Sequence, residues 1–225
     1  MIPLKDDNPT NTFPFATIGI IIINLLVFLF EMNSGGQLDA QLFLFGAVPY
    51  RITHLEGLPV LITLLTALFF HMDIVHLAGN MLYLWVFGQA IEDKLGHLKF
   101  IYFYLICGIV ASMGFIMLIP DSKLPLIGAS GAISGVLGAY FLLYPESRIQ
   151  VLVPLFIFWK KIRIQAFWFL LFWIILQLFF GTTTFNLSKT ANSGGVGWIA
   201  HVIGFIAGAL FLTIFSMHAV SARSK

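Results

Sequence analysis

Six apolar stretches, each long enough to cross a lipid bilayer as a helix, dominate this 225-residue chain. They run from Phe13 to Phe30, Ile74 to Ile91, Phe100 to Ile119, Gly128 to Tyr144, Ile164 to Phe180 and Val196 to Ser216. A hydrocarbon core of about 30 Å takes roughly 17 to 25 helical residues, so each stretch is an expected span. The composition agrees: 59% of residues are hydrophobic and 10% charged, where soluble domains carry about 25% charged residues. The expectation is an all-α, polytopic membrane bundle of six transmembrane helices. It forms one domain over residues 13–217, with residues 1–12 as a short N-terminal segment and 218–225 as a tail.

Two further apolar runs are too short to span. Leu58 to Phe70 follows Gly57, holds Pro59 and closes on His71 and Asp73, and Val151 to Trp159 holds Pro154 and ends at Lys160, Lys161 and Arg163. Both read as re-entrant or interfacial segments, because the lysines and arginine are costly at mid-bilayer. The first stretch follows Lys5, as in a signal peptide, but Asp6 and Asp7 dilute the positive flank. The sequence after Glu31 offers no Ala-x-Ala cleavage pattern, so it reads as a retained span.

Six spans put both termini on one side. With the termini inside, nine of the twelve basic residues are internal and only Arg51, Lys123 and Lys189 lie outside. The positive-inside rule selects that arrangement, with cytoplasmic termini in an inner or plasma membrane. A net charge of +2 is too small to indicate a nucleic-acid partner. The single cysteine, Cys107, lies inside a span and has no disulfide partner in the chain.

Spans two, four and six then all enter from the outer face, and each carries polar residues near that entry. His76 and Asn80, four residues apart, share one face of span two; Ser130 opens span four; His201 lies five residues past Val196 in span six. At about 1.5 Å per residue, Asn80 and His201 sit roughly 8 to 10 Å below the outer ends of their helices. The four side chains share one depth.

Each has a plain alternative. Gly128-Ala129-Ser130-Gly131 by itself is packing glue, since Gly131 and Gly135 form a GxxxG pair, and Ser134 reads the same way. His201 is harder to set aside, because an ionisable group inside a span is functional by default. Ala200, Gly204 and Gly208 form a small-residue stripe beside it, and span four offers Gly131, Gly135 and Gly138 as a matching surface. Close approach of the two helices would bring the imidazole to the serine hydroxyl, as general-base activation requires. No carboxylate lies in spans four or six, so the chemistry is that of a Ser-His dyad. Metal ligation by His71, His76, Asn80 and His201, with Asp73 as a carboxylate, fits poorly, since there is no His-Glu-x-x-His and asparagine is a poor zinc ligand. A bis-histidine haem site would leave Ser130 unexplained, so no metal or cofactor is expected.

These residues resemble the rhomboid intramembrane serine proteases in their six-span bacterial form, over nearly the whole chain. The resemblance rests on His71-x4-His76-x3-Asn80, Gly128-Ala129-Ser130-Gly131 and Ala200-His201-x2-Gly204-x3-Gly208, in that order. It implies Ser130 as nucleophile and His201 as general base. The Ser130 backbone N–H, His76 and Asn80 would form the oxyanion hole, with His71 in support. It implies single-span membrane proteins as substrates, a site open to the outer face, and span five with the Gly181 to Gly195 segment as gate and cap. Two positions depart from the family pattern: Tyr50-Arg51 stands where a Trp-Arg pair is common, and Ser134 where an aromatic ring often stacks on the base. What orients His201 is therefore open. A non-catalytic rhomboid-like protein that escorts membrane clients is the rival reading, although such relatives usually lack the serine or the histidine. A channel or transporter would call for charges along the span interiors or inverted repeats, and the sequence has neither.

Overall fold

In a computed structural model the chain is a helical bundle closed at one end by a small sheet; residues 1–33, 35–155, 158–188 and 197–222 are described. The six expected spans appear as α1 (Phe15–Met32), α5 (Ile74–Leu95), α6 (His97–Leu118), α7 (Ser130–Leu143), α8 (Ala166–Ser188) and α9 (Trp198–Ala222). Four of them, α1, α5, α6 and α8, are long and apolar enough to cross a membrane by length and composition. The 14-residue α7 is the shortest of the six and opens on Ser130. Between α1 and α5 lie α2 (Leu38–Phe45), α3 (Pro49–Thr53), a 3-10 turn (Leu58–Ile62) and α4 (Thr63–Thr66). Leu58 to Phe70 is accordingly not a span.

Carboxylates fasten the helix starts. Glu92, fully buried on α5, accepts the backbone N–H groups of Ala16 and Thr17 at 2.8 and 2.7 Å. This satisfies two donors that the first turn of α1 cannot pair internally. Asp73 caps α5 by accepting the His76 N–H at 2.8 Å. Only Gly96 separates α5 from α6, and its φ of +81° is the left-handed region that glycine enters without steric cost.

The core of the bundle is the packing of α7 on α9, and it is glycine-mediated as the two small-residue stripes suggest. A Cβ on Gly208 would lie 1.9 Å from the Gly135 carbonyl oxygen, and one on Gly204 2.3 Å from that of Gly131. On the other helix, a Cβ on Gly138 would meet the Phe205 carbonyl oxygen at 1.9 Å. Backbone cannot yield as a side chain does, so Gly208→Ala must push the helices apart. The expected cost is about 1–3 kcal/mol, a fall in melting temperature of roughly 2–10 °C. The control is Gly19→Ala, where a methyl meets nothing within 4 Å. Equal melting temperatures for the two variants in detergent would contradict this packing.

One sequence expectation is corrected. Val151 to Trp159 is not an interfacial helix but part of an antiparallel hairpin, β2 (Arg148–Leu155) and β3 (Phe158–Gln165), to which β1 (Ile2–Asp6) adds as a third strand. The period is two, not 3.6. Ile149 and Val151 are buried and pair with Ile164 and Ile162, while Gln150 sits opposite Arg163. Ile164 therefore belongs to β3, and the fifth span begins at Ala166. The N-terminal segment is likewise ordered as a strand, held where Tyr140 OH donates to Asp6 Oδ2 at 2.9 Å. Asn24, without an evident role in span one, is buried and returns its amide N–H to the Ile20 carbonyl at 2.8 Å.

Candidate active site

Ser130 is the first residue of α7, and the segment before it is held from two sides. Ala47 and Leu126 pair in an isolated β-bridge, and the Gly128 N–H donates to the Ala67 carbonyl at 2.8 Å. Gly128 has φ +112°, and a Cβ there would lie 2.8 Å from the His76 ring and 3.7 Å from Asn80 Nδ2. The absence of a side chain at 128 thus lets the backbone leading to Ser130 lie directly against the polar face of α5.

The three helices bring the sequence candidates to one cavity of about 240 Å³, lined by His76, Asn80, Ser130 and His201 together with Tyr83, Trp173, Gln177 and Trp198. Ser130 Oγ lies 2.7 Å from His201 Nε2. With Nε2 unprotonated the hydroxyl donates and the imidazole accepts, the geometry of a general base. The Ser130 backbone N–H, at the start of α7, has no intrahelical acceptor. His71 stands behind this cavity. Its Nδ1 is 3.2 Å from the Phe69 carbonyl, to which it donates, leaving Nε2 to accept the Asn80 amide N–H at 2.9 Å. Burial, with the neighbouring His76 next in effect, pushes the His71 imidazole down to about 4. It is therefore uncharged at neutral pH and able to accept. Its own backbone N–H donates to the buried Glu31 carboxylate at 3.0 Å. Ser134 Oγ returns to the Ser130 carbonyl at 2.6 Å, a packing role.

The structure answers what orients His201, and the answer comes from α8. Gln177 Oε1 lies 2.8 Å from His201 Nδ1. The Trp173 ring stacks on the imidazole with centroids 6.2 Å apart, and Trp198 meets it edge-on at 6.0 Å. The aromatic contact absent at Ser134 is thus supplied from other helices. Nothing in the sequence singled out Gln177. The available signal was the one polar side chain between Ala166 and Gly181, four residues after Trp173, in a stretch otherwise of apolar and aromatic residues.

Residues 181–188 of the expected loop from Gly181 to Gly195 are helical, because α8 continues to Ser188. The Gly194-Gly195 pair lies outside the described residues. At the position of the Trp-Arg pair, Arg51 Nη1 donates to the Phe43 carbonyl at 3.0 Å and Nε pairs with Glu56 at 3.4 Å, away from Ser130.

A family model described as the rhomboid domain matches residues 59–218, which include every candidate residue named above. This chain belongs to the rhomboid family. It is 33% identical over 205 residues to the rhomboid protease GluP of Bacillus subtilis, covering 91% of this chain and 35% of that protein. To the mitochondrial presenilin-associated rhomboid-like protein of Homo sapiens it is 34% identical over 98 residues, 42% of this chain and 26% of that one. To the chloroplastic rhomboid-like protein 11 of Arabidopsis thaliana it is 26% identical over 216 residues, 94% and 69% respectively. This rhomboid thus spans about a third of the length of the bacterial relative and about a quarter of the mitochondrial one.

Proposed function

We propose that this rhomboid is an intramembrane serine endopeptidase that cuts single-span membrane proteins by a Ser130–His201 dyad. The observation that carries the reading is the 2.7 Å contact between Ser130 Oγ and His201 Nε2 inside a cavity shared with His76 and Asn80.

His201 Nε2 takes the hydroxyl proton as Ser130 Oγ bonds to a peptide carbonyl carbon, giving a tetrahedral oxyanion. The Ser130 N–H, His76 and the free N–H of Asn80 face the space where that charge develops. Collapse of the intermediate breaks the C–N bond, and the imidazolium returns its proton to the leaving amine. A water, deprotonated by the same imidazole, then hydrolyses the acyl-enzyme and restores Ser130. Substrates carry small, helix-destabilising residues near the outer boundary, since a peptide carbonyl in a regular helix is already hydrogen-bonded.

The orientation follows from charge. Lys5, Arg148, Lys160, Lys161 and Arg163 gather on the sheet, which joins the C-terminal end of α7, roughly 20 Å from Ser130 at a helical rise of about 1.5 Å. Placing that basic end in the cytoplasm of an inner membrane opens the site to the outer face. The test is incubation of the purified protein in liposomes with a single-span substrate and, separately, with a fluorophosphonate probe. We expect cleavage and labelling at Ser130. Failure of both would leave a non-catalytic rhomboid that binds membrane clients.

A further inference from the structure

We propose that Gln177 is a positioning residue that sets the proton of His201 and ties the competence of the dyad to the seating of α8. This rests on the Ser130–His201 reading and adds a third member to it, contributed by a helix that carries neither of the other two.

The geometry leaves the imidazole few choices. It sits with Trp173 stacked on one face and Trp198 at its edge, which restrains tilt. Its two nitrogens are spoken for, Nε2 by Ser130 Oγ at 2.7 Å and Nδ1 by Gln177 Oε1 at 2.8 Å. Gln177 is only 5% exposed. An amide oxygen cannot donate, so the Nδ1 position must carry the hydrogen, and the lone pair of the neutral ring is then on Nε2, facing the hydroxyl. Reversal of the amide would present Nε2–H of Gln177 to Nδ1, move the ring proton to Nε2, and leave Ser130 without an acceptor. The same Nδ1–H bond strengthens when the ring becomes cationic, because a charged donor binds a carbonyl oxygen more tightly. A neutral amide does this without placing a carboxylate in a membrane span, which is costly.

The orienting group also stands on a peripheral element. Trp168, Phe172, Ile175, Leu178 and Phe179 of α8 are exposed, and α8 packs chiefly on α9, with far less against α7. Displacement of α8 from α9 withdraws the acceptor from Nδ1, so the base is set only while α8 is seated.

The experiment compares wild type with Gln177→Leu, Gln177→Met and Gln177→Glu. It measures kcat and KM on a single-span substrate in liposomes, the rate of fluorophosphonate labelling at Ser130, and the melting temperature. Leu and Met keep the bulk and lose the acceptor; Glu keeps an acceptor oxygen in either protonation state. We expect Leu and Met to lower kcat and labelling by about 10- to 100-fold with KM within about 2-fold, and Glu to restore both to within about 10-fold of wild type. Labelling and kcat unchanged in Leu or Met overturn the proposal, as does an equal loss in Glu, which would mark the residue as filler. Wild-type protein that neither labels nor cleaves sinks the dyad itself. Wild type that labels beside an equally labelled Leu variant sinks only the role of Gln177.

Discussion

Ser130→Ala and His201→Ala are each expected to reduce cleavage by about 10⁴-fold or more, and the double variant should be no worse than either single one. The reason is that the two groups perform one step: the hydroxyl is a weak nucleophile without a base, and the base has no proton to take without the hydroxyl. Residual activity would come from the remaining oxyanion donors and substrate binding, which removal of either group leaves in place. Folding should be little affected by the serine change. Ser130 is half-buried at the first turn of α7, and the close α7–α9 contact runs through Gly131, Gly135 and Gly138 rather than through its hydroxyl. The measurement is initial cleavage rate in liposomes together with melting temperature. Activity in either variant within about tenfold of wild type would overturn the dyad.

Asn80→Ala carries the second largest effect, an expected loss of about 10²- to 10³-fold in kcat with KM nearly unchanged. One oxyanion donor is worth about 3–4 kcal/mol because it acts in a site where charge appears only in the transition state. Asn80 is suited to this because its amide is already oriented: one N–H is committed to His71 Nε2 at 2.9 Å, and the other remains for the cavity. His71 holds it only while uncharged. Since burial keeps that imidazole down at about 4, the acceptor persists at and above neutral pH and is lost only as pH falls toward that value. Steady-state kinetics would show the effect, and a change confined to KM would remove Asn80 from transition-state stabilisation.

The spans were legible because hydrocarbon imposes its own rule on composition, and a helix is the way a single apolar run satisfies its backbone there. Helix ends moved by a few residues; Phe13 to Phe30 became Phe15–Met32, and Phe100 to Ile119 became His97–Leu118. The hairpin was missed because its apolar length resembled a short membrane segment, while the signal that mattered was the alternation of Ile149 and Val151 with Arg148 and Gln150. That alternation acquires meaning only when Ile162 and Ile164 return opposite it, with β1 alongside.

The candidate site divides in the same way. Ser130, His76, Asn80 and His201 could be grouped from the chain because span direction and helical rise fix the depth of a residue, and depth is one coordinate along one axis. Rotation about that axis, and which helices touch, are decided by packing. The glycine contacts between α7 and α9 bring Ser130 to His201, and the seating of α8 on α9 brings Gln177 and Trp173 to the far side of the same ring. A lone glutamine in an aromatic span has no partner in the sequence; it gains one only where a second helix carries a histidine to within 2.8 Å.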